Sequence, residues 1–337
     1  MATVTLALHA MATRFELVLH GQESARLRAA GEEALAEIQR LEGQLSLFRP
    51  GSEISQLNAR ASREPVRVSP EVFSLLRHAR QLSEETGGAF DITVAPLMWC
   101  WGFREGTGRV PGAEELAEAR AKVGMQRVEL DEKELTVRFA REGVRLDLGA
   151  IGKGYAIERA VELLREAGIT SALCHGGTST VYGMGHPPKA EAWKIAIDEP
   201  VQEGGRLRPR DERASDRADT PGRAPLATVC LRDEALSVSA VWGRSFEAGG
   251  KTYGHIIDPR TGRPANAAVL AAVALPSATE TDALSTALLT VGGEGHDPIA
   301  RLRPGLRTLV VSAAADGWRV KGQGIMASLG NGRHCGP

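Results

Sequence analysis

Apolar and polar positions change period along this chain, and the period marks the elements. Phe15, Leu17 and Leu19 alternate with Glu16 and His20 around Val18, as in a half-buried strand. From Ser24 to Leu47, Leu27, Ala34, Leu35, Ile38, Leu41 and Leu45 recur at steps of three and four, which predicts a helix with one buried face. Ser69 and Pro70 open a second helix, Val72, Leu75, Leu76, Ala79 and Leu82 line its inner side, and Gly87 ends it. Beyond a charged helical stretch after Pro111, Val128 to Leu130 and Leu135 to Phe139 alternate about a polar turn as a hairpin, and Val144 to Leu148 reads as a further strand. That strand leads through Gly149, Gly152 and Gly154 into a helix with Ile157, Val161 and Leu164 inward and Gly168 at its end. Short strands are predicted at Ala172 to Cys174, Lys194 to Ile197, Thr228 to Leu231, Tyr253 to Ile257, Val269 to Leu275 and Leu309 to Ser312. Thr279 to Gly293 reads as a helix capped by Thr279. Strand pairs joined by short turns, rather than regular βαβ alternation, predict an α+β fold with antiparallel or mixed sheets and flanking helices.

Composition narrows the function. The 337 residues are 42% hydrophobic and 25% charged, as in ordinary globular chains, and no apolar run is long enough to span a bilayer. A formal net charge of -1 supplies no field that would draw the chain onto nucleic acid or an anionic membrane. The cysteines at 100, 174, 230 and 335 form no CxxC pair and read as buried or idle thiols. Glu203 to Arg223 is charged and almost free of apolar residues, so it is expected to be a mobile surface insertion, with residues 331–337 a flexible tail. The N-terminus lacks a basic region followed by an apolar stretch and a small-residue cleavage site, so the chain as written is expected in the cytoplasm. A leader already removed would instead place it in the periplasm or at a membrane.

Four segments carry candidate chemistry. Asp282 and Thr286 share a helix face at i and i+4, an arrangement that suits Mg²⁺ completed by water and phosphate oxygens. The helix dipole and a solvent-facing threonine would explain the same pair. Leu146 to Ala160 sets glycines ahead of a helix, where free N–H groups and Lys153 would meet phosphate, or where the glycines merely fit sterically. It is neither a Walker A loop nor a GxGxxG fingerprint. In Tyr253 to Pro264, His255 and Arg260 flank a turn, as anion ligands or as plain surface residues. Thr86 to Phe103 places Asp91 beside Trp99 and Trp101, which are core residues or ring-stacking walls.

Together, AMATRF, SLFRPGSEISQLN, TGGAFDITVAPLMWCWGF, LDLGAIGKGYAIERA, the HGG of His175 to Gly177, YGHIIDPRTG and TDALSTALLTVGG resemble, in order and over nearly the whole chain, the FAD:protein FMN transferases of the ApbE family. The resemblance implies a two-lobed α+β unit spanning residues 1–330 with the cofactor in a cleft between lobes. It implies Mg²⁺ held by Asp282, Thr286 and the carbonyl of Ala150. Lys153 would contact FAD, with Met11, Asp91, Gly177, His255, Ile256 and Arg260 lining the cleft and Glu158 a further candidate. Asp282 and His255 are the implied catalytic residues, with Asp282 both holding metal and assisting deprotonation of the attacking hydroxyl. The implied reaction moves the FMN half of FAD onto a threonine or serine of a partner protein carrying a DGxTGAT or DGxSGAT segment. An FAD pyrophosphatase releasing FMN and AMP, or a non-catalytic flavin-binding protein, would use the same cleft. The sequence departs from the pattern at Ala12, where glycine is usual, at Gly152, where alanine is usual, at CHGGTST, and at Ser237 to Trp242, where a TSG turn is usual.

Overall fold

Two alternating runs on either side of a two-residue turn make the first hairpin. Strand β1 (Ala2–Ala10) pairs antiparallel with β2 (Thr13–Gly21), Ala10 facing Thr13 across the turn. The structure is a computed structural model that describes residues 1–104, 106–203, 206–208, 225–315 and 317–327, with the backbone alone at 201–203 and 206–208. Beyond β2 the chain builds a helical layer: α1 (Ser24–Leu45), α2 (Glu53–Arg60), α3 (Pro70–Glu85), α4 (Ala95–Cys100), α5 (Ala113–Arg120) and α6 (Gly152–Glu166). It then returns to the sheet with β3 (Ser171–Gly176), β4 (Thr180–Met184), β5 (Glu234–Ala240) and β6 (Leu270–Leu275). Helix α7 (Ala278–Val291), β7 (Arg307–Ala314) and β8 (Gly317–Gln323) follow. These eight strands form one antiparallel sheet in which each lies beside its predecessor, so the large insertions leave the meander intact.

Alternation along the central strands sends the two faces to different layers. Ala235 on β5 and Ala271, Val273 and Leu275 on β6 join the core under the helices, while Leu236, Leu270, Ala272 and Ala274 join a second core on the opposite face. A short antiparallel hairpin, Trp193–Ile197 with Ala227–Leu231, covers that second face. A Cβ on Gly183 would stand 2.9 Å from Trp193 Cδ1, so glycine sets how closely the hairpin approaches. Central strands packed on both sides lose the polar alternation of a solvated sheet, and β6 is buried at every position.

Capping and periodicity explain the helices. Ser69 caps α3 by accepting from Val72 N–H, Pro70 is its first residue, and Gly87 follows its end with φ +59°. Helix α1 buries Leu27, Ala34, Leu35, Ile38, Leu41 and Leu45, the stripe its spacing predicts. Helix α7 starts earlier than expected: Ser277, not Thr279, is the cap and accepts from Glu280 N–H at 3.2 Å. Asp282 therefore lies past the first turn, beyond the reach of the dipole explanation.

Two predicted strands differ. Val144 to Leu148 buries Val144, Leu146 and Leu148 but joins no ladder. Its backbone groups go elsewhere: Leu146 exchanges both hydrogen bonds with the Asn58 amide, at 2.7 and 2.9 Å, and Asp147 N–H donates to the Ile92 carbonyl at 2.7 Å. Tyr253 to Ile257 is divided at His255 and Ile256 into Lys251–Gly254 and Ile257–Asp258, each pairing with a different segment. Most of the insertion from Glu203 to Arg223 and all of the tail at 331–337 lie outside the described residues; where the insertion begins, Val201–Glu203 pairs antiparallel with Arg206–Arg208.

Candidate active site

Helices α6 and α7 touch at Gly154. A Cβ there would stand 2.1 Å from the Ala278 carbonyl oxygen and 2.8 Å from Asp282 Cβ, so only glycine permits the approach. The contact places Gly154 N–H on Asp282 Oδ2 at 3.0 Å. In an uninterrupted helix that N–H would turn back to the Ala150 carbonyl. The α6 ladder instead starts at the Ile151 carbonyl, which accepts from Tyr155 N–H at 3.0 Å, and the Ala150 carbonyl is left off it. Lys153 closes the same corner, with Nζ 2.9 Å from the Gly149 carbonyl and 3.6 Å from Asp282 Oδ2.

Beneath Asp282, which is only 3% exposed, hydroxyls from the sheet meet α7. Thr180 Oγ1 on β4 lies 3.0 Å from Ser237 Oγ on β5, Ser237 donates to Thr281 Oγ1 at 2.8 Å, and Thr281 donates to the Ala278 carbonyl at 3.0 Å. Each hydroxyl has one hydrogen, so the Thr180 hydrogen goes to Ser237 and not to Asp282 Oδ1 at 3.5 Å. Asp282 Oδ1 is thereby left open. Ser239 Oγ is 2.9 Å from Ser285 Oγ and 3.3 Å from Thr286 Oγ1, and Thr286 donates to the Asp282 carbonyl at 3.2 Å, keeping its own lone pairs available.

A carboxylate oxygen, a hydroxyl and a carbonyl off its ladder are hard donors, the chemistry that Mg²⁺ takes with waters and phosphate oxygens. Among the described residues no group of three or more His, Cys, Asp or Glu could hold a metal ion, so an ion at Asp282 would rely on Thr286 and Ala150 in this way.

His255 lies within the electrostatic reach of the same Lys153. Its Nδ1 lies 3.2 Å from the Arg244 carbonyl, which fixes the hydrogen on Nδ1 and leaves the lone pair on Nε2. Burial pushes its pKa below the ordinary 6.5, and the charges of Arg244 and Lys153 push the same way. Asp147 shares those two neighbours. Burial raises its pKa, while the Gly149 N–H at 2.8 Å, Lys153 and Arg244 oppose the rise.

The remaining candidates divide. Met11 occupies the β1–β2 turn, where its N–H donates to Glu42 Oε1 at 2.7 Å, and Gly177 N–H donates to the Arg14 carbonyl at 2.9 Å just across β2. Arg260 pairs with Asp258 through Nε and Nη2 at 2.9 and 3.0 Å and lies against Gly88, while Ile256 packs on the main core. Two carboxylates are committed to the fold. Asp91 accepts from Ser83, Thr93 and Met125, and burial still raises its pKa. Glu158 Oε2 accepts from Ser277 Oγ and Thr279 N–H, both at 2.8 Å, tying α6 to the start of α7. Trp101 is core, its Nε1 donating to the Gly262 carbonyl at 2.8 Å, whereas Trp99 lies under arginine side chains. The hydroxyls of Thr180, Ser237 and Thr281 were not among the predicted site residues; their one sequence signal is Ser237 and Ser239 two apart in a strand, on the face turned to α7.

The profile of the ApbE family matches residues 11–310. A protein of Treponema pallidum named FAD:protein FMN transferase is 31% identical over 301 residues, covering 86% of this chain and 78% of the relative. One of the same name from Vibrio cholerae is 29% identical over 286 residues, covering 84% and 79%. Among solved structures, the ApbE protein of Thermotoga maritima superposes with a TM-score of 0.79 at 28% identity, covering 95% of this chain and 96% of that one. The apo flavinyl transferase ApbE of Pseudomonas stutzeri superposes at 0.78 and 27% identity, covering 95% and 94%.

Proposed function

The chain belongs to the ApbE family, and from that premise we propose that it transfers the FMN half of FAD to a hydroxyl of a partner protein, with AMP as the other product. The observation that carries this reading is the Asp282 corner. Support comes from an open carboxylate oxygen on a residue beside Lys153 and the α6 N-terminus, which favour phosphate, with Thr286 one turn along α7 and the Ala150 carbonyl just ahead of α6 as further hard donors. Mg²⁺ bound there would neutralise charge on the diphosphate and on the departing AMP.

In the proposed reaction the acceptor oxygen attacks the phosphorus of the FMN half. A new P–O bond forms, the anhydride P–O bond breaks, AMP leaves with the bridging oxygen, and the hydroxyl proton goes to a base. Neutral His255, with its free Nε2, is suited to take that proton. Asp282 is engaged by Gly154 N–H and Lys153 and is better suited to holding the ion. A threonine or serine in a glycine-flanked DGxTGAT or DGxSGAT segment would enter the cleft where bulkier backbone would not.

Incubation with FAD, Mg²⁺ and a protein bearing such a segment should raise the acceptor's intact mass by one FMN. The gain should vanish with Asp282→Ala, while the variant still unfolds cooperatively, at a lower temperature because the Gly154 N–H loses its acceptor. FAD consumed equally fast with and without acceptor, with no mass gained, would establish hydrolysis instead; bound but unconsumed FAD would establish a carrier.

A further inference from the structure

Trp99, near the end of α4, is half-buried with two guanidinium groups over its ring, Arg104 Cζ at 4.6 Å and Arg145 Cζ at 4.5 Å from the centroid. Among the described residues, neither arginine is paired with a carboxylate. Among the described residues, the two acids of the neighbouring cavity are matched: Glu115 accepts from Arg109 at 2.7 Å, and Glu118 from Lys122 at 2.6 Å. All four of those residues, with Trp99 and Arg145, line an open cavity of about 410 Å³.

Attraction to the indole face stabilises each guanidinium, but it does not remove the repulsion between two of them held at one ring. Burial, and then Arg104, push the Arg145 pKa down. Attraction to the ring face leaves a guanidinium's N–H donors to be matched, and a carboxylate matches them in bidentate geometry.

Position relates this pair to the transfer site. Val144, Leu146 and Leu148 point into the core, so Arg145 and Asp147 fall on the outer side of the same segment. Two residues of chain span at most about 7 Å. Asp147 in turn lies under the charges of Lys153 and Arg244. Through Asp147 and Lys153, whose Nζ is 3.6 Å from Asp282 Oδ2, the arginine pair neighbours the site.

We propose that Arg104 and Arg145, over the ring of Trp99, dock acidic side chains of the protein that receives FMN. The proposal rests on the transferase reading above and adds the means by which the partner is selected.

The probes are two fluorescein-labelled peptides with the same Asp-Gly-Ala-Thr-Gly-Ala-Thr core, one flanked by glutamates and the other by glutamines. Fluorescence anisotropy with the full chain should show the glutamate peptide binding about tenfold more tightly, close to 1.4 kcal/mol, with the preference fading as salt rises. The double variant Arg104→Gln/Arg145→Gln should lose that preference while its FAD Kd, from calorimetry, stays within about twofold of wild type. Binding is read without turnover, so a chain that transfers no FMN would defeat the functional reading and leave this measurement intact. Equal binding of both peptides to the wild type, or a preference that survives in the double variant, overturns the proposal. A double variant that binds both peptides as before but loses FAD overturns it too, and assigns the arginines to the dinucleotide phosphates.

Discussion

Met11 and Ala12 turn the chain between β1 and β2 with both residues left-handed, at φ 50° and 58°. Two positive φ values in a two-residue hairpin define a turn that glycine fits and alanine strains. The departure at Ala12 thus has a local consequence: relief of about 1–2 kcal/mol of strain, less about 0.5–1 kcal/mol of added chain entropy, gives Ala12→Gly a net gain near 0.5–1 kcal/mol. The urea midpoint should rise, with FAD affinity unchanged because Ala12 is exposed and the turn is held through Met11 N–H on Glu42. A lower midpoint would show that the Ala12 methyl makes a contact outweighing the strain.

Among the elements, the contact between α6 and α7 builds the site. Helix α7 is buried on nearly every side, carrying Ala283, Leu284, Ala287, Leu288 and Leu289 alongside Thr281, Asp282 and Ser285. Thr281, Asp282 and Ser285 survive burial because each finds a partner on β5 or α6. Gly154→Ala would drive a methyl into the Ala278 carbonyl, a backbone atom that cannot rotate aside. Overpacking of this kind costs about 1–3 kcal/mol. We expect Gly154→Ala to fold with a lowered denaturation midpoint and to need more Mg²⁺ for half-maximal transfer, because the shift between the helices moves Asp282 and Thr286 relative to Ala150. An unchanged Mg²⁺ requirement in a destabilised variant would separate the helix contact from the metal.

For the whole molecule, His255 couples protonation to folding and to turnover. Its folded pKa lies below 6.5, so between the folded value and 6.5 the unfolded chain binds more protons, and its share of stability rises with pH across that window. His175 and His20, also pushed down by burial, act in the same sense. Asp91 and Asp147, pushed up by burial, act in the opposite sense from 3.8 upward. The His255 share is therefore the difference between wild type and His255→Gln, which should grow in favour of wild type as pH rises to 6.5. The kcat/KM for transfer should show an acid limb with its midpoint below 6.5, and that limb should be absent from whatever activity His255→Gln retains. A limb that persists in the variant assigns the proton to another group.

Period and capping determined the α1 stripe, the cap and first residue of α3, the hairpin at Val128 to Phe139 and the placement of Asp282 and Thr286 on one helix face, because each acts over a few residues. What the period could not decide was the partner of a backbone group. Val144 to Leu148 alternates like a strand, yet its N–H and carbonyl groups are taken by Asn58 of α2 and by the Ile92 carbonyl, both distant in sequence. The same holds for the site: Gly154 meets Asp282 across 128 residues of sequence, and Thr180 meets Ser237 across 57. Only the packed structure brings these donors and acceptors together, and their hydrogen count then decides that Asp282 Oδ1 stays open, since each hydroxyl has a single proton to give.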